Sequence, residues 1–164
     1  MILNSGLLLD TNIISRFSPD RKEKSSEGLR KWLHIRAEAG TLYLSAITIS
    51  EIERGMRKLH RSGGMKRAKL MNDWLESLTE DFGDRVLPVD CVVARIAAAM
   101  EDDAKAKGRH PGFADILIAA TARAYGLTVI TENIKHFAPL AVLVDFPEIF
   151  KPEDERAQIQ TPRF

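Results

Sequence analysis

Leu7-Leu8-Leu9 is a short apolar run that stops at Asp10, and nothing of the same character follows until Leu42-Tyr43-Leu44-Ser45-Ala46-Ile47. Further short runs lie at Arg85–Val89, Thr128–Thr131 and Ala141–Val144. Helical spacing fills the intervals, as with Leu29, Trp32, Leu33 and Ile35, or Ile52, Met56 and Leu59. Strands separated by whole helices cannot close as hairpins, and they pair in parallel through crossover connections. The pattern therefore predicts a parallel α/β sheet with helices on both faces, a three-layer α/β/α arrangement. Sites in such sheets lie beyond the carboxyl ends of the strands. Asp10, the Thr48–Glu51 segment and the Thr131–Asn133 segment all occupy such positions.

Local signals set the remaining boundaries. Residues 11–15 leave the first strand into a turn or helix, which Ser18-Pro19-Asp20 breaks. A helix starts near Ser26 and ends at Gly40. Thr48 or Ser50 is placed to cap the helix that carries Glu51. Ser62-Gly63-Gly64 separates it from a helix over Met65 to Leu78. Residues 91–107 read as an alanine-rich helix opened by Cys91, a small core residue in this reading. A loop over 108–112 leads into an apolar helix from Ala114 to Tyr125, ended by Gly126. Residues 1–150 form one domain, and residues 151–164 a polar C-terminal tail.

The 164 residues carry a net charge of +1, so the chain is no polycation, and any nucleic-acid contact must come from a local patch. The stretch from Arg54 to Asn72 supplies one, with seven Lys and Arg side chains and no acid. It reads as a solvated helix pair, as an RNA phosphate contact, or as a docking place for a partner peptide. A single cysteine allows no internal disulfide and fits a reducing compartment. There is no basic-then-apolar leader, and no apolar stretch near the roughly 20 residues of a membrane helix. The expectation is a soluble cytoplasmic protein without membrane contact.

Taken singly, Asp10 could be a turn or cap residue, and Glu51 and Asp115 could be carboxylates favoured in a helix's first turn. Their surroundings say more. Asp10 follows three leucines, Glu51 lies between Ile49 and Ile52, and Asp115 leads into Ile116-Leu117-Ile118-Ala119-Ala120. Carboxylates at the margin of apolar segments cost free energy unless paired or bound to metal, and no matching buried cations are evident. Three acids from distant positions suit a hard cation such as Mg²⁺, which keeps several waters and needs only one or two direct carboxylates.

Four blocks together resemble the PIN-domain family, and within it the VapC/FitB-like ribonuclease toxins of toxin–antitoxin pairs. They are Leu7–Ser15 with Asp10, Leu44–Gly55 with Glu51, Ala114–Ala122 with Asp115, and Leu127–Asn133 followed by His136-Phe137. The likeness spans about residues 3–146 in the family's order. It implies a parallel sheet of four or five strands and Mg²⁺-dependent cleavage of RNA, with Mn²⁺ as a substitute. It also implies a homodimer and neutralisation by a small antitoxin protein. Asp10 and Asp115 would be the main metal ligands, with Glu51 completing the cluster directly or through water. Asn133 stands where some members carry a fourth acid, with Glu132 beside it as the alternative; one or two metal ions both remain open. Thr11, Asn12 and Thr131 either orient ligands or serve as turn and cap residues.

A metal of this kind lowers the pKa of water and stabilises charge on the phosphate. His34, His60, His110 and His136 show no ligand spacing and read as surface or structural residues, so leaving-group protonation falls to water. The alternative is a PIN fold without catalysis that binds RNA or a partner protein. A phosphoacceptor domain fits poorly, because Asp10 has no adjacent acid, and a dinucleotide-binding fold would need a glycine-rich turn where Thr11-Asn12-Ile13 stands.

Overall fold

The computed structural model describes residues 6–21 and 26–145. Its centre is β1 (Leu7–Leu9), flanked by β2 (Leu42–Ser45) and β4 (Thr128–Ile130). Strands β3 (Val86–Leu87) and β5 (Val144–Asp145) complete a five-stranded sheet in the order β3-β2-β1-β4-β5. Every pairing is parallel. A parallel sheet covered on both faces needs strands that are apolar throughout, and the three leucines meet that need.

Side chains alternate across the sheet. Leu8 and its register partner Val129 face one core, with Val93, Ala97, Met100 and Ile116. Leu9 and its partner Ile130 face the other, with Leu29, Ile52, Met71 and Leu75. Helices α5 (Cys91–Ala106) and α6 (Phe113–Tyr125) cover the first face. Helices α2 (Glu27–Glu38), α3 (Ala46–Arg61) and α4 (Met65–Phe82) cover the second. Two one-turn helices, α1 (Thr11–Ile14) and α7 (Ile134–Phe137), follow β1 and β4 directly. The three-layer α/β/α arrangement with a five-stranded parallel sheet is as the sequence predicts.

Several boundaries differ. Helix α3 starts at Ala46, capped by Ser45, whose hydroxyl accepts from the Ile47 amide at 3.3 Å. Thr48 and Ser50, expected as caps, lie inside the helix, because the chain turns as soon as the buried Ser45 has bonded the Thr121 hydroxyl at 3.1 Å. Helix α4 runs on to Phe82, where Gly83 ends it with φ of +49°. Strand β3 keeps only Val86 and Leu87, since Arg85 belongs to a 3-10 turn and Pro88 has no N–H to offer a ladder. The last strand begins at Val144 rather than Ala141, which sits in a left-handed turn. Cys91 is exposed rather than in the core, because the buried face of α5 is formed by Val93, Ala97, Met100 and Ala104. The expected boundary between residues 150 and 151 lies outside the described residues. Among the described residues no helix is long and apolar enough to cross a membrane.

Candidate active site

Asp10 sits where β1 ends and α1 begins. Its amide donates to Ile130 O at 3.0 Å, which ties it to β4. Only 4% of Asp10 is exposed, and both carboxylate oxygens are engaged. Oδ1 accepts from the Thr11 amide at 2.7 Å, and Oδ2 accepts from the Thr131 hydroxyl at 2.6 Å. Thr131 is a hub, since its oxygen also accepts from Asn12 Nδ2 at 3.0 Å and from the Asn133 amide at 2.9 Å. Burial pushes the Asp10 carboxyl up to about 6; the bonds from Thr131 and Thr11 oppose this, and the charges of Asp115 and Glu51 add to it. The three acids expected to act together therefore do share one electrostatic field.

Glu51 reaches the same region from α3. Its Oε2 accepts from Thr11 Oγ1 at 2.5 Å, and that hydroxyl lies 3.3 Å from Thr48 Oγ1. Because α3 begins at Ala46, Glu51 lies beyond the first turn, and its position owes nothing to the helix N-terminus. Asp115 does lie in the first turn of α6. Its Oδ2 is 3.2 Å from His136 Nδ1. Gly112 precedes it as the N-cap, and a Cβ there would stand 3.3 Å from Asp115 Oδ2. Glycine at this position gives the carboxylate its space.

The segment after β4 separates the two candidates for a fourth acid. Glu132 is in an ion pair with Arg16 and is thereby occupied. Asn133 contributes its backbone amide to Thr131, while its side chain makes no hydrogen bond among the described residues. Sequence reasoning missed Arg16, Gly112 and the role of His136. Phe137 is fully buried, while His136 beside it meets Asp115.

Among the described residues, no three carboxylate, histidine or cysteine side chains close into a ready cage for a metal. The donors fit a different kind of ion. Among the described residues no cation contacts the buried Asp10, two further carboxylates add to its field, and these acids all offer hard oxygens. This suits Mg²⁺, which demands few protein ligands and retains its water, better than a tightly caged soft metal.

The basic stretch after Glu51 forms a separate feature, a cleft of about 790 Å³ between α3 and α4 that includes Met56, Arg57, Arg61, Lys66 and Lys69. Part of its charge is paired, Arg57 with Glu53 at 2.6 Å and Lys69 with Asp73 at 3.1 Å, and on the same helix Arg67 is paired with Asp20. None of the three acids lines this cleft.

Residues 7–142 match the family model for the PIN domain. The chain belongs to the PIN-domain family. It is 36% identical to toxin FitB of Neisseria gonorrhoeae over 141 residues, covering 86% of this chain and 97% of FitB. It is 34% identical over 134 residues to VapC ribonuclease Y4jK of Sinorhizobium fredii, covering 80% and 89% of the two chains. The crystal structure of FitAcB from Neisseria gonorrhoeae superposes with a TM-score of 0.73 at 36% identity, over 88% of this chain and 99% of that one. The matched region contains strands β1 to β4 and all three of Asp10, Glu51 and Asp115.

Proposed function

We propose that this PIN-domain protein is a metal-dependent endoribonuclease that hydrolyses RNA phosphodiester bonds, with Mg²⁺ as cofactor and Mn²⁺ as substitute. The observation that carries the reading is the buried carboxylate of Asp10, held by two hydrogen bonds and facing the charges of Asp115 and Glu51. A buried acid in the field of two others is costly, and the cost is removed when a cation is held among them.

In this reading Asp10 and Asp115 hold the ion, and Glu51 completes the cluster directly or through water. Mg²⁺ bound there supplies Lewis acidity toward the phosphate and lowers the pKa of water. Thr131 and the Thr11 amide fix the orientation of Asp10, and the Thr11 hydroxyl fixes Glu51. His136 sits against Asp115 and limits where that carboxylate turns. Asn133 lines the same strand end through its backbone and offers a neutral amide where an acid would add charge.

The toxin and ribonuclease names of the relatives support a toxin role, and solved structures similar to this chain include FitAcB and FitAB bound to a DNA fragment. The natural partners are then a small antitoxin protein and a second copy of this chain, in the cytoplasm. One observation favours a second reading, a binding module without catalysis: Glu132 is taken by Arg16 and Asn133 is uncharged.

RNA cleavage by wild type and by Asp10→Asn, in Mg²⁺, Mn²⁺ or EDTA, separates the two. Cleavage that requires metal and is lost in a folded Asp10→Asn establishes the nuclease. Absence of cleavage across structured and unstructured RNAs favours the binding module.

A further inference from the structure

The acidic centre poses a problem for its own substrate. RNA is a polyanion, and three carboxylates repel it. The net charge of +1 offers no long-range compensation, and the basic face of α3 and α4 has much of its charge committed to acids. Positive charge that is both free and close to the acids occurs elsewhere.

A cleft of about 190 Å³ opens between the loop before α6 and the helix α7, and includes Arg109, His110, Gly112, Lys135 and His136. Two contacts place it against the acidic centre. His136 lines the cleft and also meets Asp115 Oδ2 at 3.2 Å. Gly112 lines it too, and a Cβ there would stand 3.3 Å from the same carboxylate oxygen. Among the described residues, the side chains of Arg109 and Lys135 have no ion-pair partner, in contrast to Arg57, Arg67 and Lys69. The volume lies below the roughly 300–1,000 Å³ of a small-molecule site, which suits a single charged group rather than a whole nucleoside.

We propose that this cleft is a phosphate subsite, in which Arg109 and Lys135 hold a backbone phosphate of the RNA next to the one positioned at Asp10 and Asp115. The inference rests on the ribonuclease reading and adds to it a direction for the strand, past Asp115 and toward α7. Backbone contacts of this kind set the register of a nucleic acid without reading its bases. A second phosphate held in place also restricts the scissile one, so the cleft aids positioning as well as affinity.

The test uses an Asp10→Asn background, which removes cleavage and leaves the cleft intact, with Mg²⁺ present. Anisotropy of a fluorescein-labelled single-stranded RNA is titrated at several salt concentrations. Three proteins are compared: the background alone, the background with Arg109→Ala and Lys135→Ala, and the background with Arg61→Ala and Lys66→Ala, which removes the same charge from the α3–α4 face. The cleft pair is expected to weaken binding roughly tenfold or more at low salt and to lower the slope of log K against log salt by about 1.4. The α3–α4 pair is expected to change both far less. Full binding by the cleft pair overturns the subsite alone, as does an equal loss in the two pairs. A background protein that binds no RNA overturns the subsite and the ribonuclease reading together.

Discussion

The Thr131 hydroxyl donates to Asp10 Oδ2 at 2.6 Å across two adjacent strand ends, and both residues are buried. The same oxygen accepts from Asn12 and from the Asn133 amide, so one side chain joins β1, α1 and α7. Thr131→Val keeps the shape and removes the hydroxyl, leaving the buried Asp10 carboxylate, the half-buried Asn12 side chain and the Asn133 amide without their partner. It is expected to cost about 1–3 kcal/mol in chemical denaturation. Thr131→Ser, which retains the hydroxyl, is expected to keep most of that stability.

Asp10 titrates at about 6 in the folded protein against 3.8 for a free carboxyl. The folded state therefore binds the proton more tightly than the unfolded state. Stability falls as pH rises between these values, and the full penalty of about 3 kcal/mol is present above the folded pKa. In EDTA, the stability of Asp10→Asn relative to wild type should improve by about 3 kcal/mol between about pH 3.5 and pH 7.5. A difference that stays constant over that range shows that burial of Asp10 carries no such cost.

Metal should reverse the same penalty. An ion that binds only the folded protein stabilises it by mass action, about 1.4 kcal/mol at ten times its dissociation constant. Thermal unfolding of wild type in millimolar Mg²⁺ or Mn²⁺ should move to higher temperature than in EDTA, and Asp115→Asn should respond less. An unchanged midpoint in wild type counts directly against a metal held at these acids.

Gly112→Ala introduces a Cβ 3.3 Å from Asp115 Oδ2. The backbone at Gly112 has φ −64° and ψ 145°, which any residue adopts, so the effect reports on the carboxylate and not on backbone strain. Displacing a carboxylate from its setting costs metal affinity or activity on the order of 10-fold. The expected result is lower RNA cleavage with a thermal midpoint close to wild type; unchanged cleavage shows that Asp115 has room to spare.

Much of this arrangement is legible in the sequence, and for a physical reason. Strands buried on both faces must be apolar throughout, so an acid at the end of one, as at Asp10 after Leu9, stands out against its surroundings. Asp115 stands out in the same way before the buried stretch Ile116–Ala122. What the sequence conceals is who meets whom across the sheet. Nothing near Thr131 indicates that its hydroxyl serves Asp10, and nothing near His136 indicates Asp115, because each contact exists only after β4 has paired with β1. The late start of β5 and the early start of α3 were hidden for a local reason. Ala141 adopts a left-handed conformation uncommon for a residue with a Cβ, and Ser45 serves at once as strand end and helix cap.

The strand order has a consequence for synthesis. The central strand β1 is made before both of its neighbours, and one of them, β4, comes only after β2 and β3. Asp10 and Thr131 are 121 positions apart, and Asp115 emerges only shortly before Thr131. A nascent chain carrying β1, β2 and β3 holds Asp10 and Glu51 but neither Asp115 nor the strand that fastens Asp10. The acidic cluster is thus assembled only after α6 and β4 have been made, and a nascent chain that stops short of them holds an incomplete set of acids.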